Sequence, residues 1–182
     1  MLIEKVINEK LKGDAQKNAL DLLNYLTTNE MTVDGDAPCW GINYQGKDVG
    51  VFFVTGEEDI PGPWTVWSDD NNYDEVEGIL IDKQIKEIAW SHTNICGHFS
   101  SGGTDCGCGN QPGKTKTIFG KDFDNICTST FMFTNPNAKT LECVKKLMEL
   151  IAKMEGCKRQ SVTRSVERAV EKTKEKTKSF SN

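Results

Sequence analysis

Trp40-Gly41-Ile42-Asn43-Tyr44-Gln45-Gly46-Lys47-Asp48-Val49-Gly50-Val51-Phe52-Phe53-Val54 is the stretch whose reading decides the fold. Trp40, Ile42 and Tyr44 alternate with small or polar residues, Gln45-Gly46-Lys47 turns the chain, and Val49 to Val54 returns as an apolar run. A period of two puts one set of side chains on one sheet face, so the stretch predicts a β-hairpin. Ile60-Pro61-Gly62-Pro63 then breaks the chain, and Trp64-Thr65-Val66-Trp67 reads as a third strand.

Upstream, the period changes. Leu2, Ile3, Val6, Ile7 and Leu11 recur at helical spacing, and Ala15, Ala19, Leu22, Leu23 and Leu26 give a second helix its apolar stripe, with Asp14 as the expected N-cap. The polar residues from Thr27 to Pro38 read as a loop. Downstream, Ile81, Ile85, Ile88 and Ala89 predict a helix opened by Asp82 that runs directly into a cysteine-rich loop. Thr117-Ile118-Phe119 and Thr128 to Phe133 read as strands. Asn135-Pro136-Asn137 starts a last helix through Leu141, Val144, Leu147, Met148 and Ile151, closed by Gly156. This order predicts an α+β fold: a mostly antiparallel sheet with helices packed on one side, as a single domain over residues 1–156.

At 182 residues the chain is long enough for one real core, and 37% hydrophobic with 27% charged residues is ordinary for a globular protein. No apolar run is long enough to span a membrane, and the start lacks a signal-peptide pattern, so a cytoplasmic location is expected. Residues 157–182 carry eight basic and three acidic residues, a balance of +5. The remaining 14 basic and 24 acidic residues leave −10 on positions 1–156. A body this acidic is a poor nucleic-acid surface. The basic tail has Val162, Val166, Ala169 and Val170 on one helical face. By itself that stripe is too thin to offset ordering entropy, which makes it a marginal helix, frayed or docked on a partner.

Between Cys96 and Cys127 lie four of the seven cysteines and one of the two histidines. Cys96-Gly97-His98, Cys106-Gly107-Cys108 and Cys127 offer thiolates and an imidazole on a glycine-rich segment that can fold back on one ion. Zinc, which takes four such donors tetrahedrally, is the expected cofactor. Cys96, Cys106, Cys108 and Cys127 would fill the four places, with His98 competing for one. An odd cysteine count in a reducing compartment fits metal binding better than a disulfide framework. The alternatives are a redox-active thiol loop, or Cys127 packing in a strand core. Asp105 is the acid placed to support an ion, and His92 joins only if its helix points it inward. Cys143, beside Leu147, Leu150 and Ile151, reads as a small core residue.

Three other patterns compete for attention. Cys108-Gly109-Asn110-Gln111-Pro112-Gly113-Lys114-Thr115 matches a phosphate-binding loop except for its first glycine, but a strand pattern follows where a helix is required. Lys114 and Lys116 keep a weaker role, attracting an anion. Trp40, Trp64, Trp67 and Trp90 either fill the core or wall a small-molecule site. Asp69, Asp70, Asp74, Glu75 and Glu77 lack the calcium-loop spacing and read as a solvated loop.

Trp40 to Tyr44, the Ile88-Ala89-Trp90 helix end, the cysteine loop, and Ile118-Phe119-Gly120-Lys121-Asp122-Phe123-Asp124-Asn125-Ile126-Cys127 together resemble small bacterial proteins with a Trp-x-x-x-Tyr hairpin and a cysteine-rich loop. The resemblance spans residues 15 to 155 and implies the α+β fold without an activity. The residues themselves favour a zinc-class small-molecule binding or sensing module. Against it stand a thiol- or metal-dependent enzyme using the same loop, and an interaction protein whose basic tail docks on an acidic partner or nucleic acid.

Overall fold

A computed structural model describes residues 2–57, 62–68, 81–96 and 113–154. Two helices come first, α1 (Ile3–Lys10) and α2 (Gly13–Thr28). The strands β1 (Met31–Asp36), β2 (Cys39–Tyr44), β3 (Lys47–Val54) and β4 (Trp64–Ser68) follow. Then come α3 (Lys83–Ser91), β5 (Thr93–Ile95), β6 (Lys114–Ile118), β7 (Lys121–Thr134) and a helix α4 described over 138–154. The strands form one seven-stranded sheet in the order β1-β2-β3-β4-β7-β5, with β6 also on β7, and every pairing is antiparallel. The α+β architecture read from the sequence is the observed one.

The hairpin forms as its alternation dictates. Tyr44 pairs with Lys47, and the two residues between them, Gln45 and Gly46, have φ of 51° and 77°. That positive-φ pair is the turn whose twist matches the strands it joins. Trp40, Ile42, Phe52, Val54, Trp64 and Val66 then share the inner face. Against it pack Val6 and Ile7 of α1, Leu22 and Leu26 of α2, and Val144, Leu147 and Ile151 of α4. Asn137 opens α4 where the sequence places the start, its Oδ1 accepting from the Thr140 N–H at 3.0 Å. Lys145 of α4 reaches Asp21 of α2 at 2.9 Å, tying the two helices across their solvent edge.

Several local expectations are corrected. Residues 27–38 are not all loop: Met31–Asp36 forms the edge strand β1, registered on β2 from Met31↔Tyr44 to Asp36↔Cys39. Backbone pairing decides this strand, because only Met31 and Val33 offer an apolar face. Its aspartates suit an edge, where charge discourages further pairing. Asp14 is not the cap of α2. The Gln16 N–H already bonds the Lys12 carbonyl, so the helix starts two residues earlier and Asp14 sits in its first turn. Asp82 does cap α3, accepting from the Gln84 N–H at 2.7 Å. That helix does not run straight into the cysteine loop, because Thr93–Ile95 first pairs with β7 as β5. β7 is 14 residues long, more than twice the stretch its sequence suggests.

Candidate metal centre

The segment 97–112 leaves the sheet at Cys96 and returns at Gly113. Both ends are fixed to one point on β7. The Cys96 N–H donates to the Asn125 carbonyl at 2.7 Å, and Ile95 and Lys114 both register on Ile126. Gly113 is required by this closeness. A Cβ there would sit 2.6 Å from the Asn125 carbonyl and 2.6 Å from Cys96 Cβ, so any side chain would force the two ends apart. Asn125 itself takes φ of 56°, a conformation asparagine adopts more readily than most residues, and the β6–β7 register slips beside it. The β-bulge is what lets both ends meet.

Cys127 is two residues beyond Asn125 on the same strand. It is the diagonal neighbour of Cys96 in the register, a position where Cα atoms are typically roughly 7–8 Å apart. Neither thiol belongs to the main hydrophobic core, although Cys96 is 2% exposed. Both are free thiols. The Lys116 Nζ donates to the Cys127 carbonyl at 3.3 Å and to Thr130 Oγ1 at 2.8 Å. That ammonium therefore has a structural role in bracing the bulge. Of the five nominated donors, Cys96 directly follows β5 and Cys127 lies on β7, the strand β5 pairs with. His98, Cys106 and Cys108 lie outside the described residues, as do Asp105, Cys157, the acidic run 69–77 and Gly156. Among the described residues no group of three or more His, Cys, Asp or Glu is disposed to hold an ion.

His92 does not join them. It closes α3, with Nδ1 2.8 Å from the Ile88 carbonyl and 3.0 Å from Ser91 Oγ, and its ring stacks on Phe133 at 4.7 Å. The phosphate-loop reading fails as its context indicated. Lys114 and Thr115 lie in β6 and not at a helix start, and Thr115 Oγ1 donates to Asp124 at 2.9 Å.

The tryptophans divide between environments. Trp40 and Trp64 are in the core; Trp64 stacks on Phe52 at 5.4 Å and donates to Asn135 Oδ1 at 3.0 Å. Trp67 meets Phe53 on the opposite sheet face, and Trp90 donates to the Ile118 carbonyl at 2.7 Å beneath the Lys121 ammonium. The four rings do not line a common wall. No helix among the described residues is long and apolar enough to cross a membrane.

Cys143 is the core residue its sequence neighbours suggest, fully buried in α4. Burial pushes its thiol up to about 12. Above about pH 9 the unfolded thiol ionises while the folded one keeps its proton. Folding stability should therefore fall by roughly 1.4 kcal/mol per pH unit from there until the folded thiol titrates. Urea titrations between pH 8 and 10.5 should show that slope in the native sequence and a shallower one in Cys143→Ala. Parallel slopes would mean the thiol is not shielded.

No protein-family model, no curated protein and no solved structure is significantly similar to this chain. Gly113 and Asn125 are the site residues that sequence reasoning passed over. Their signal was present, since glycine and asparagine beside a cysteine cluster mark strained backbone.

Proposed function

We propose that this chain is a zinc-class metal-binding module. Cys96 and Cys127 form the sheet-borne half of the site, and Cys106 and Cys108, with His98 competing for one place, complete it from the loop. The observation that supports this reading is the pinning of both ends of segment 97–112 next to Cys127. It gives a soft-donor loop a fixed base beside two thiols. Four protein donors saturate a tetrahedral ion and leave no position for water, which argues against catalysis at the ion and for its holding the loop. A cytoplasmic, reducing site of action would keep these thiols available to a metal.

Mass-spectrometric metal analysis of the full-length chain, purified under reducing conditions, tests the proposal. The expected result is close to one equivalent of zinc or a similar soft ion. Loss of that ion is expected in Cys106→Ser/Cys108→Ser. Protein that purifies free of metal and takes up no zinc with its thiols reduced would remove the basis for the reading.

A further inference from the structure

The sheet face turned away from the helices carries two side-chain rows that run across four strands. One is Gly41-Val51-Trp67-Met132 and the other Cys39-Phe53-Thr65-Thr134, each fixed by the register of β2, β3, β4 and β7. Val51, Phe53, Trp67 and Met132 are half-buried, and none of them belongs to the helix-covered core or packs against it. Phe53 and Trp67 lie 5.4 Å apart between ring centres. A groove of about 320 Å³ opens beside these rows, lined by Cys39, Gly41, Asp48, Val51 and Ser129 among others. At Gly41 packing does not dictate the gap: a Cβ would find its nearest neighbour at 3.5 Å, an ordinary contact. The rim is acidic. Asp34 stands across from Gly41, Asp48 Oδ1 is 3.9 Å from where that Cβ would be, and both residues are exposed.

We propose that the basic C-terminal segment of this same chain, residues 158–182, docks on this face as an amphipathic helix. Val162, Val166 and Ala169 would fill the groove, with lysines and arginines beside Asp34 and Asp48. Three observations point to this occupant. The segment's apolar residues share one helical stripe, matching a groove that takes small side chains. Its +5 faces a body of −10, with Asp48 lining the groove and Asp34 across the register from Gly41. The third is length: the 28 residues after Met154 would span about 42 Å as helix. The apolar stripe supplies the burial that the segment lacks alone, while the exposed charge pairs set orientation more than affinity. The inference is independent of the metal reading.

Hydrogen exchange of the full-length protein, with alkylation of Cys39 followed by peptide mass spectrometry, tests it. Amides of 158–182 should exchange more slowly than those of an unstructured peptide. Val162→Asp/Val166→Asp should bring them to unstructured rates and raise Cys39 labelling several-fold. Asp48→Lys, an exposed change, should shift both readouts in the same direction by less. Unstructured exchange rates in the native sequence, or equal Cys39 labelling in the valine double variant, would overturn the proposal. Protection that disappears on dilution, with a dimer in sedimentation, would also overturn it by making a second copy the occupant.

Discussion

Trp64→Ala is expected to destabilise the fold by about 3–5 kcal/mol, the range for removing a large aromatic from a packed core. Trp64 is fully buried, stacks on Phe52, and through Nε1 holds Asn135 at the end of β7. The backbone adds a second link here, the Asn135 N–H bonding the Trp64 carbonyl at 2.8 Å. The indole thus fills the core where the first half of the sheet joins the second. Domains of this kind are stable by roughly 5–15 kcal/mol in total, so the variant should sit near the edge of folding. Trp64→Phe keeps most of the packing and loses the side-chain hydrogen bond, for about 1 kcal/mol. Urea unfolding of the two variants separates these contributions. An alanine variant within about 1 kcal/mol of the native sequence would show that the junction does not depend on the indole.

The second large effect is on the ion. Cys96→Ser/Cys127→Ser should drop zinc from about one equivalent to a small fraction after dialysis against a competing chelator, because two of four thiolates are gone. Cys143→Ala, the matched control from the core, should keep its zinc. Circular dichroism is expected to stay native in the serine pair, since neither thiol contributes to the main core. If the serine pair kept full metal while Cys106→Ser/Cys108→Ser lost it, the loop alone would hold the ion and the strand thiols would be bystanders.

How much of this was legible depended on whether side chains or backbone made the decision. Trp40, Ile42 and Phe52 announce their strands because burial enforces a period of two, and the helices show their stripes for the matching reason. β1 is hidden because Met31-Thr32-Val33-Asp34-Gly35-Asp36 is held chiefly through ladder hydrogen bonds to β2, which composition does not record. β5 is only three residues long, too short for any period. β7 is interrupted at Asn125 and again before Phe131, so its alternation reads as two fragments. At the candidate site, donor types and spacing were visible in the sequence. The placement of Cys96 across from the Asn125 region of β7 was not, since it depends on a β5–β7 register that is irregular between Thr93 and Ile95.

The span of the β4–β7 ladder bears on when an ion bound as proposed could arrive. β2 and β3 meet across two residues, whereas Thr65 and Thr134 come together over a separation of 69. Pairings that distant form late on a folding pathway, after local hairpins have closed. Cys127 lies on the strand that joins this distant ladder to the local β6–β7 hairpin, so an ion bound as proposed would meet a strand already paired on its β6 side. Stripping such an ion should leave the described strands paired, as is expected of the serine pair. An ion held as proposed could then exchange with free zinc without passing through the unfolded chain.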